Sequence, residues 1–267
     1  MIYRVVEQYQ PMTVRQVFYQ LVSRGVIDKN EAEYKSTVCR LLVEMRRDGV
    51  IPYGWIADNT RWMRKPTTYS SLESMLRYSQ RNYRRAIWDD QDAYVEIWLE
   101  KEALAGVLVD VTEEWDVRLM VTRGYPSVSF LHSAGYQIAS VECPAHIYYF
   151  GDHDPSGVDI DRFVEREIRR HAPECDLTFS RVAVLPNQID QFQLQTRPTK
   201  KTDSRAKSFK GESVEVDAID PDTLRSICSR CIVQHIDAAR LSRTHDVEQA
   251  ERETFATFID GMKGGRE

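Results

Sequence analysis

Asp152 and Asp154 stand one residue apart at the end of the apolar, aromatic run Ile147-Tyr148-Tyr149-Phe150-Gly151, and Pro155-Ser156-Gly157 follows them. The run reads as a buried strand. Two carboxylates at its rim, with little nearby to neutralise them, suit a hard divalent cation such as Mg²⁺ or Mn²⁺. A strand end closing in an Asx-type turn explains the same residues without a metal. A third acid, Glu100, ends the strand-like stretch Tyr94–Leu99. If both strands belong to one parallel sheet, Glu100, Asp152 and Asp154 converge at its carboxyl edge, where such sheets bind ligands. Glu96, inside the first strand, fits this less well and reads as an edge or a polar contact.

A second set of chemistry-bearing residues lies near the start. Thr13-Val14-Arg15-Gln16 has the form of a capping box, and Gly25 ends the helix it opens. Val14, Val17, Phe18, Leu21 and Val22 form the apolar stripe of that helix. Arg15 and Tyr19 fall off the stripe and share a face, so Tyr19 is expected away from the core, one turn after an arginine that binds phosphate or favours a phenolate. A surface tyrosine packing on an arginine stem is the competing reading.

The elements that must position these groups follow from the pattern. A second helix is expected over 31–48, with Lys35, Arg40, Arg46 and Arg47 basic, and a short hairpin or wing over Val50–Ile56. Helix, helix and wing with scattered arginine is winged helix-turn-helix logic. Residues 61–90, with Arg61, Trp62 and Arg64, read either as a DNA-facing connector or as a helical linker with a solvated basic face. From residue 93, strands at 94–99, 117–122, 146–151 and 177–184 alternate with helices, which predicts an α/β fold with a parallel sheet and right-handed crossovers. Lys200, Lys201 and neighbouring basic residues crowd a loop-like stretch that is either a DNA-backbone contact or a solvated loop. Val214–Val216 reads as a short strand, and 221–236 and 247–262 as helices.

Composition narrows the class. The chain has 267 residues, 42% of them hydrophobic, enough for a normal core. Net charge is −5, but residues 1–90 hold 15 Lys and Arg against 10 Asp and Glu, while 91–267 hold 21 against 31. A basic module beside an acidic one suits a DNA-binding part next to a metal-binding part. No apolar run approaches a membrane span and no signal peptide is expected. Five cysteines without paired spacing suggest a reducing compartment, and Cys228-x-x-Cys231 reads as structural.

Four segments in order resemble the topoisomerase VI A subunit and the related meiotic break-forming transesterase. Val95 to Leu104 resembles its Glu-Lys-x-Ala motif, Thr122 to Ser127 its Gly-x-Pro turn, Asp152 to Gly157 its Asp-x-Asp-Pro-x-Gly, and Thr13 to Tyr19 the winged-helix segment ending in its nucleophilic tyrosine. The resemblance covers residues 10–185 and implies a winged helix-turn-helix domain (1–62), a basic connector (63–92), a Toprim domain (93–185) and a C-terminal extension (186–267). It implies Tyr19 as nucleophile with Arg15 in support, Glu100 and Lys101 in the catalytic site, and Glu100, Asp152 and Asp154 on Mg²⁺ or Mn²⁺, with Asp159 behind them. Arg40, Arg46, Arg47, Arg61, Arg64, Lys200 and Lys201 are the expected DNA contacts. The implied activity is Mg²⁺-dependent cleavage of double-stranded DNA through a phosphotyrosyl link, by a short, free-standing A-subunit-like homodimer of the prokaryotic or viral cytoplasm and nucleoid, with an ATPase B-type partner encoded elsewhere. A Toprim nuclease using water and a DNA-binding subunit without activity are the alternatives. The Arg-rich connector predicts a fixed separation between Tyr19 and the acids of its own chain, and hence sites shared between subunits.

Overall fold

The computed structural model describes residues 1–57, 66–198, 209 and 211–264. Two compact units divide the chain: residues 1–61 with 93–234, and residues 62–92 with 235–267. The expected C-terminal extension is thus split between them.

In the first unit, helix α1 (Ile2–Tyr9) precedes α2 (Val14–Ser23). Sequence periodicity did not single out α1. The capping box forms as read: the Gln16 amide donates to the Thr13 hydroxyl at 3.1 Å, and the Thr13 amide to Gln16 Oε1 at 2.9 Å. Gly25 follows with φ +65°, the left-handed geometry that glycine tolerates. The predicted second helix is a π-helical segment, Glu33–Cys39, running into α3 (Arg40–Arg47). Val5, Val6, Val17, Leu21, Val38 and Leu42 make the core of this part.

The expected hairpin over Val50–Ile56 is instead a 3₁₀ turn, Tyr53–Trp55. Pro52 has no N–H to give a ladder. The segment also pairs outward: the Met12 amide donates to the Trp55 carbonyl and the Ala57 amide to the Met12 carbonyl.

The α/β part matches the alternation read from the sequence. Strands β1 (Tyr94–Leu99), β2 (Arg118–Val121), β3 (Ala145–Phe150) and β4 (Leu177–Ala183) form one parallel sheet in the order β2-β1-β3-β4. Helices α5 (Ala105–Glu114), α6 (Val128–Ala139) and α7 (Pro155–His171) make the crossovers. Trp98, Ile147 and Tyr149 share one sheet face and join Leu131, Ile138, Ile160, Val164 and Ile168 of α6 and α7 in a sealed core. Helix α8 (Pro186–Gln191) follows β4, and α9 (Pro221–Val233) packs with α5. Gln234 donates to the Tyr148 hydroxyl at 2.7 Å. The order of the strands reverses between β1 and β3, so the crevice at their carboxyl ends is the switch point of the sheet.

The second unit pairs α4 (Leu72–Asn82) with α10 (Ala238–Gly264). Arg85 bonds Glu251 at 2.7 Å, the Tyr83 hydroxyl donates to Glu251 at 2.6 Å, and Arg77 lies 3.6 Å from Asp260. These three connector residues therefore meet acids of α10. No helix among the described residues is long and apolar enough to cross a membrane.

Candidate functional site

Glu100 leaves β1 and Asp152 leaves β3 at the switch point. The backbone binds them together: the Glu100 amide donates to the Phe150 carbonyl at 2.9 Å, and the Asp152 amide to Glu100 Oε2 at 3.1 Å. A side chain would crowd this contact at Gly151, and the backbone leaves no room for one at Gly157. A Cβ on Gly151 would lie 2.7 Å from Glu100 Oε2, and one on Gly157 2.2 Å from the Asp152 carbonyl oxygen. Burial, then the charge of Asp152, pushes the Glu100 carboxyl up to about 7. Burial also raises Asp152, although Lys101 opposes it.

Asp154 goes elsewhere. Its Oδ1 accepts the Gly157 amide at 2.8 Å and caps α7, with Pro155 in the first turn, and its Oδ2 lies 3.4 Å from Arg197. The structure therefore brings two of the three expected acids together. Among the described residues, no three His, Cys, Asp or Glu side chains are grouped to hold a metal. The donor chemistry at Glu100 and Asp152 nevertheless fits Mg²⁺ or Mn²⁺. Two crowded carboxylates are hard oxygen ligands, and Mg²⁺ is commonly held by one or two carboxylates with water in its other positions. Asp159 bonds the Tyr125 hydroxyl rather than either acid.

An ion network surrounds the pair. Lys101 Nζ lies 2.6 Å from Asp217, 3.1 Å from Asp152 and 3.1 Å from Glu215. Burial alone would lower the lysine; Asp217, Asp152 and Glu215 outweigh it and raise its pKa, so Lys101 is a fixed cation and not a base. Arg15 grips both oxygens of Glu215, at 2.7 and 2.8 Å, and Arg197 adds a third cation at 2.7 Å. Burial works against ionisation of Glu215, but Lys101 and Arg15 prevail and hold it at about 2.

Tyr19 corrects the sequence reading. It is 4% exposed and packs edge-on against Phe18 in the N-terminal core, with Lys29 Nζ 5.3 Å from its ring centre. The face that periodicity left outside is covered by the segments carrying Lys29, Tyr34 and Glu215. Lys29 is itself fixed by the Gln195 and Thr196 carbonyls, at 2.9 and 2.8 Å. Burial, then Glu215, pushes the phenol up to about 12, and Arg15 and Lys101 do not reverse this. Arg15 is paired with Glu215 and stacks over Tyr34; its charge lowers the Tyr19 phenol without offsetting the burial.

A cleft of about 730 Å³ opens over these groups, lined by Arg15, Arg46, Glu100, Lys101, Arg123 and Asp152 among others. A second cavity of about 130 Å³ is lined by Tyr19, Lys29, Tyr34 and Arg197; Arg15 and Glu215 line both. Of the expected DNA contacts, Arg46 faces the cleft, Arg40 is paired with Glu44 at 2.9 Å, and Arg47 is exposed at the end of α3. Arg61, Arg64, Lys200 and Lys201 lie outside the described residues. The expected fixed separation of Tyr19 from its own acids is also corrected. The Arg15–Glu215 and Lys101–Glu215 pairs tie the helix of Tyr19 to the acid site within one chain.

Glu215 and Asp217 were not singled out from sequence, and the short strand read at 214–216 is a pair of bridges, His153 to Val214 and Arg197 to Ser213. Their signal was the pair of acids set one residue apart in Val214-Glu215-Val216-Asp217, and a 3₁₀ turn over Val216–Ala218, not a strand, carries the second of them. Comparison with known proteins adds nothing to this geometry: no family model matches the chain, and no curated protein matches it.

Proposed function

We propose that this chain is a Toprim protein resembling the topoisomerase VI A subunit, its helical N-terminal part carrying a 3₁₀ turn where the expected wing would stand, and that it cleaves double-stranded DNA with a divalent cation at the switch-point cleft. One observation carries the reading: Glu100 and Asp152 meet at the ends of β1 and β3, share excess negative charge, and face a cleft lined by Arg15, Arg46, Lys101 and Arg123. Glu100 and Asp152 would hold the metal. A bound Mg²⁺ supplies neutralising charge to the scissile phosphate and its leaving oxygen. Lys101 keeps the Asp152 carboxylate oriented, and Asp154 fixes the turn by capping α7. The arginines of the cleft draw in the phosphate backbone.

Two nucleophiles fit the site. The resemblance favours Tyr19, which gives a phosphotyrosyl link and frees a deoxyribose 3′ oxygen. The buried phenol, with its pKa pushed up to about 12, favours water in the arrangement described here, because a phenol so held is a poor nucleophile at neutral pH. Supercoiled plasmid with Mg²⁺ or Mn²⁺, analysed with and without protease, separates them. Asp152→Asn is expected to abolish cleavage with the fold intact. A protease-sensitive adduct that disappears in Tyr19→Phe assigns the tyrosine; free ends and full activity in Tyr19→Phe assign water. No cleavage by wild type with either metal refutes catalysis and leaves a DNA-binding subunit. We also propose a homodimer, working with an ATPase partner if strand passage occurs. Mixing Tyr19→Phe with Asp152→Asn restores nicking only if subunits share sites.

A further inference from the structure

We infer that Arg15, Lys101 and Arg197 form a seat for a backbone phosphate of nucleic acid, and that Glu215 fills this seat as an internal carboxylate until DNA displaces it. The inference rests on the DNA reading above and extends it to how the substrate enters. Cations from three separate elements converge on one carboxylate: Arg15 from α2, Lys101 from the turn after β1, and Arg197 from the loop after α8. Arg15 holds Glu215 through two parallel bonds, the same fork it would offer to phosphate. A phosphodiester carries one negative charge on two free oxygens, as a carboxylate does, so the exchange preserves the charge of the network.

The seat is also accessible. The Arg15 side chain is 38% exposed and that of Arg197 34%, while Glu215 is 5% exposed. An incoming phosphate therefore meets the guanidinium groups from the solvent side, with the carboxylate behind them. Arg15 and Glu215 line both the large cleft and the small cavity that reaches Tyr19. Their ion pair thus borders both spaces, and moving Glu215 aside would open a path from Tyr19 to the cleft. The segment carrying Glu215 is held by the two backbone bonds between His153 and Val214, at 2.8 and 2.9 Å, and by the Val216 amide on Asp152 Oδ1 at 2.9 Å.

A purely structural ion pair, joining α2 to the sheet, is the competing account, and the two predict opposite effects of Glu215→Gln. The test uses the full chain in EDTA and a short fluorescein-labelled duplex, read by anisotropy over a salt series. If Glu215 occupies the seat, Glu215→Gln binds the duplex about tenfold more tightly and its salt slope steepens by about one unit, one more phosphate contact. Adding Arg15→Gln abolishes the gain. Nitration of Tyr19 by tetranitromethane, located by peptide mass, rises in Glu215→Gln. A folded Glu215→Gln with wild-type or weaker affinity and an unchanged slope overturns the seat. Inorganic phosphate is the second probe: if Glu215→Gln gains affinity for phosphate but not for the duplex, the assignment to nucleic acid is wrong. Should Glu215→Gln fail to fold, wild type alone decides: saturating duplex must speed hydrogen exchange at the Val216 amide, and unchanged or slower exchange refutes displacement. If neither protein binds duplex, the proposed DNA function fails with the seat; if both bind equally, only the seat fails.

Discussion

Replacing Arg181 with Met should destabilise the protein by about 5 kcal/mol. Arg181 reaches from β4 under the turn that carries Asp152 and Asp154. It donates to the carbonyls of Gly151 at 3.0 Å, Asp152 at 3.1 Å and Gly157 at 2.8 Å, and it pairs with Asp161. Its side chain is 13% exposed and that of Asp161 11%. Met keeps most of the volume and removes every donor. Stranding a buried partner charge costs about 3–5 kcal/mol. Losing a charged donor to three carbonyls adds about 1 kcal/mol each where water cannot replace it. These terms are not additive, and about 5 kcal/mol is the expected total, a large share of a typical domain's stability. Urea unfolding followed by circular dichroism measures it. Asp161→Asn in the same chain should recover about 2–3 kcal/mol, because it removes the stranded charge. Calorimetry should also show weaker Mg²⁺ binding, since the turn presenting Asp152 is loosened. A loss below about 1 kcal/mol with unchanged Mg²⁺ affinity refutes the role of Arg181 as the brace of the turn.

Three further outcomes follow from single contacts. The Glu100 carboxyl sits at about 7 in the fold against an ordinary 4.5, so its protonated form is favoured: the stability it contributes is complete below 4.5 and lost as pH rises to 7. Metal-free Glu100→Gln should thus gain about 3 kcal/mol on wild type between pH 4.5 and 8 in urea melts, and a gap that ignores pH contradicts the crowding of Glu100 and Asp152. Gly157→Ala should destabilise by about 3 kcal/mol or more, because the new methyl meets the Asp152 carbonyl at 2.2 Å; a melting curve equal to wild type would show that the turn yields freely. Thr13→Ala removes the hydroxyl half of the α2 capping box and should cost about 1 kcal/mol in the same assay, with no change expected if α2 is held by packing alone.

The sheet was legible because its strands are apolar runs separated by helical stretches, and this pattern has few parallel topologies. Glu100 and Asp152 were legible because an acid just past such a run lands on the rim. Asp154 was not, because Asp-Pro-Ser-Gly is both a ligand motif and a helix N-cap with proline in its first turn, and in the structure the cap takes the carboxylate. Tyr19 misled because a helical stripe reports the most apolar face and is silent about cover on the others. Its cover comes from Lys29 and from Glu215, almost two hundred residues away. In the connector, the acids of α10 that Arg85 and Arg77 meet lie 166 or more residues away in sequence, so composition alone did not show them.

The network around Glu215 is a poor way to hold a fold together. Fully buried residues already secure both flanks, with Val5, Val6, Val17 and Leu42 on one side and Trp98, Tyr149, Leu131 and Val164 on the other. Desolvating ions costs more than their attraction returns unless the geometry is very good, and apolar residues of similar size often do better. Among the described residues, Arg15, Lys101 and Arg197 pair with Asp152, Asp154, Glu215 and Asp217, Lys29 stands near Glu215, and Glu100 lies against Asp152. A network built for stability would balance its charge. Here Glu100 and Asp152 lie against each other, and burial, then the charge of Asp152, makes Glu100 hard to ionise. A dication at Glu100 and Asp152 would offset that charge, while a phosphate on Arg15 and Arg197 would release Glu215. Under the proposed metal-dependent phosphodiester cleavage, the dication would meet the carboxylates and the phosphate the guanidinium groups.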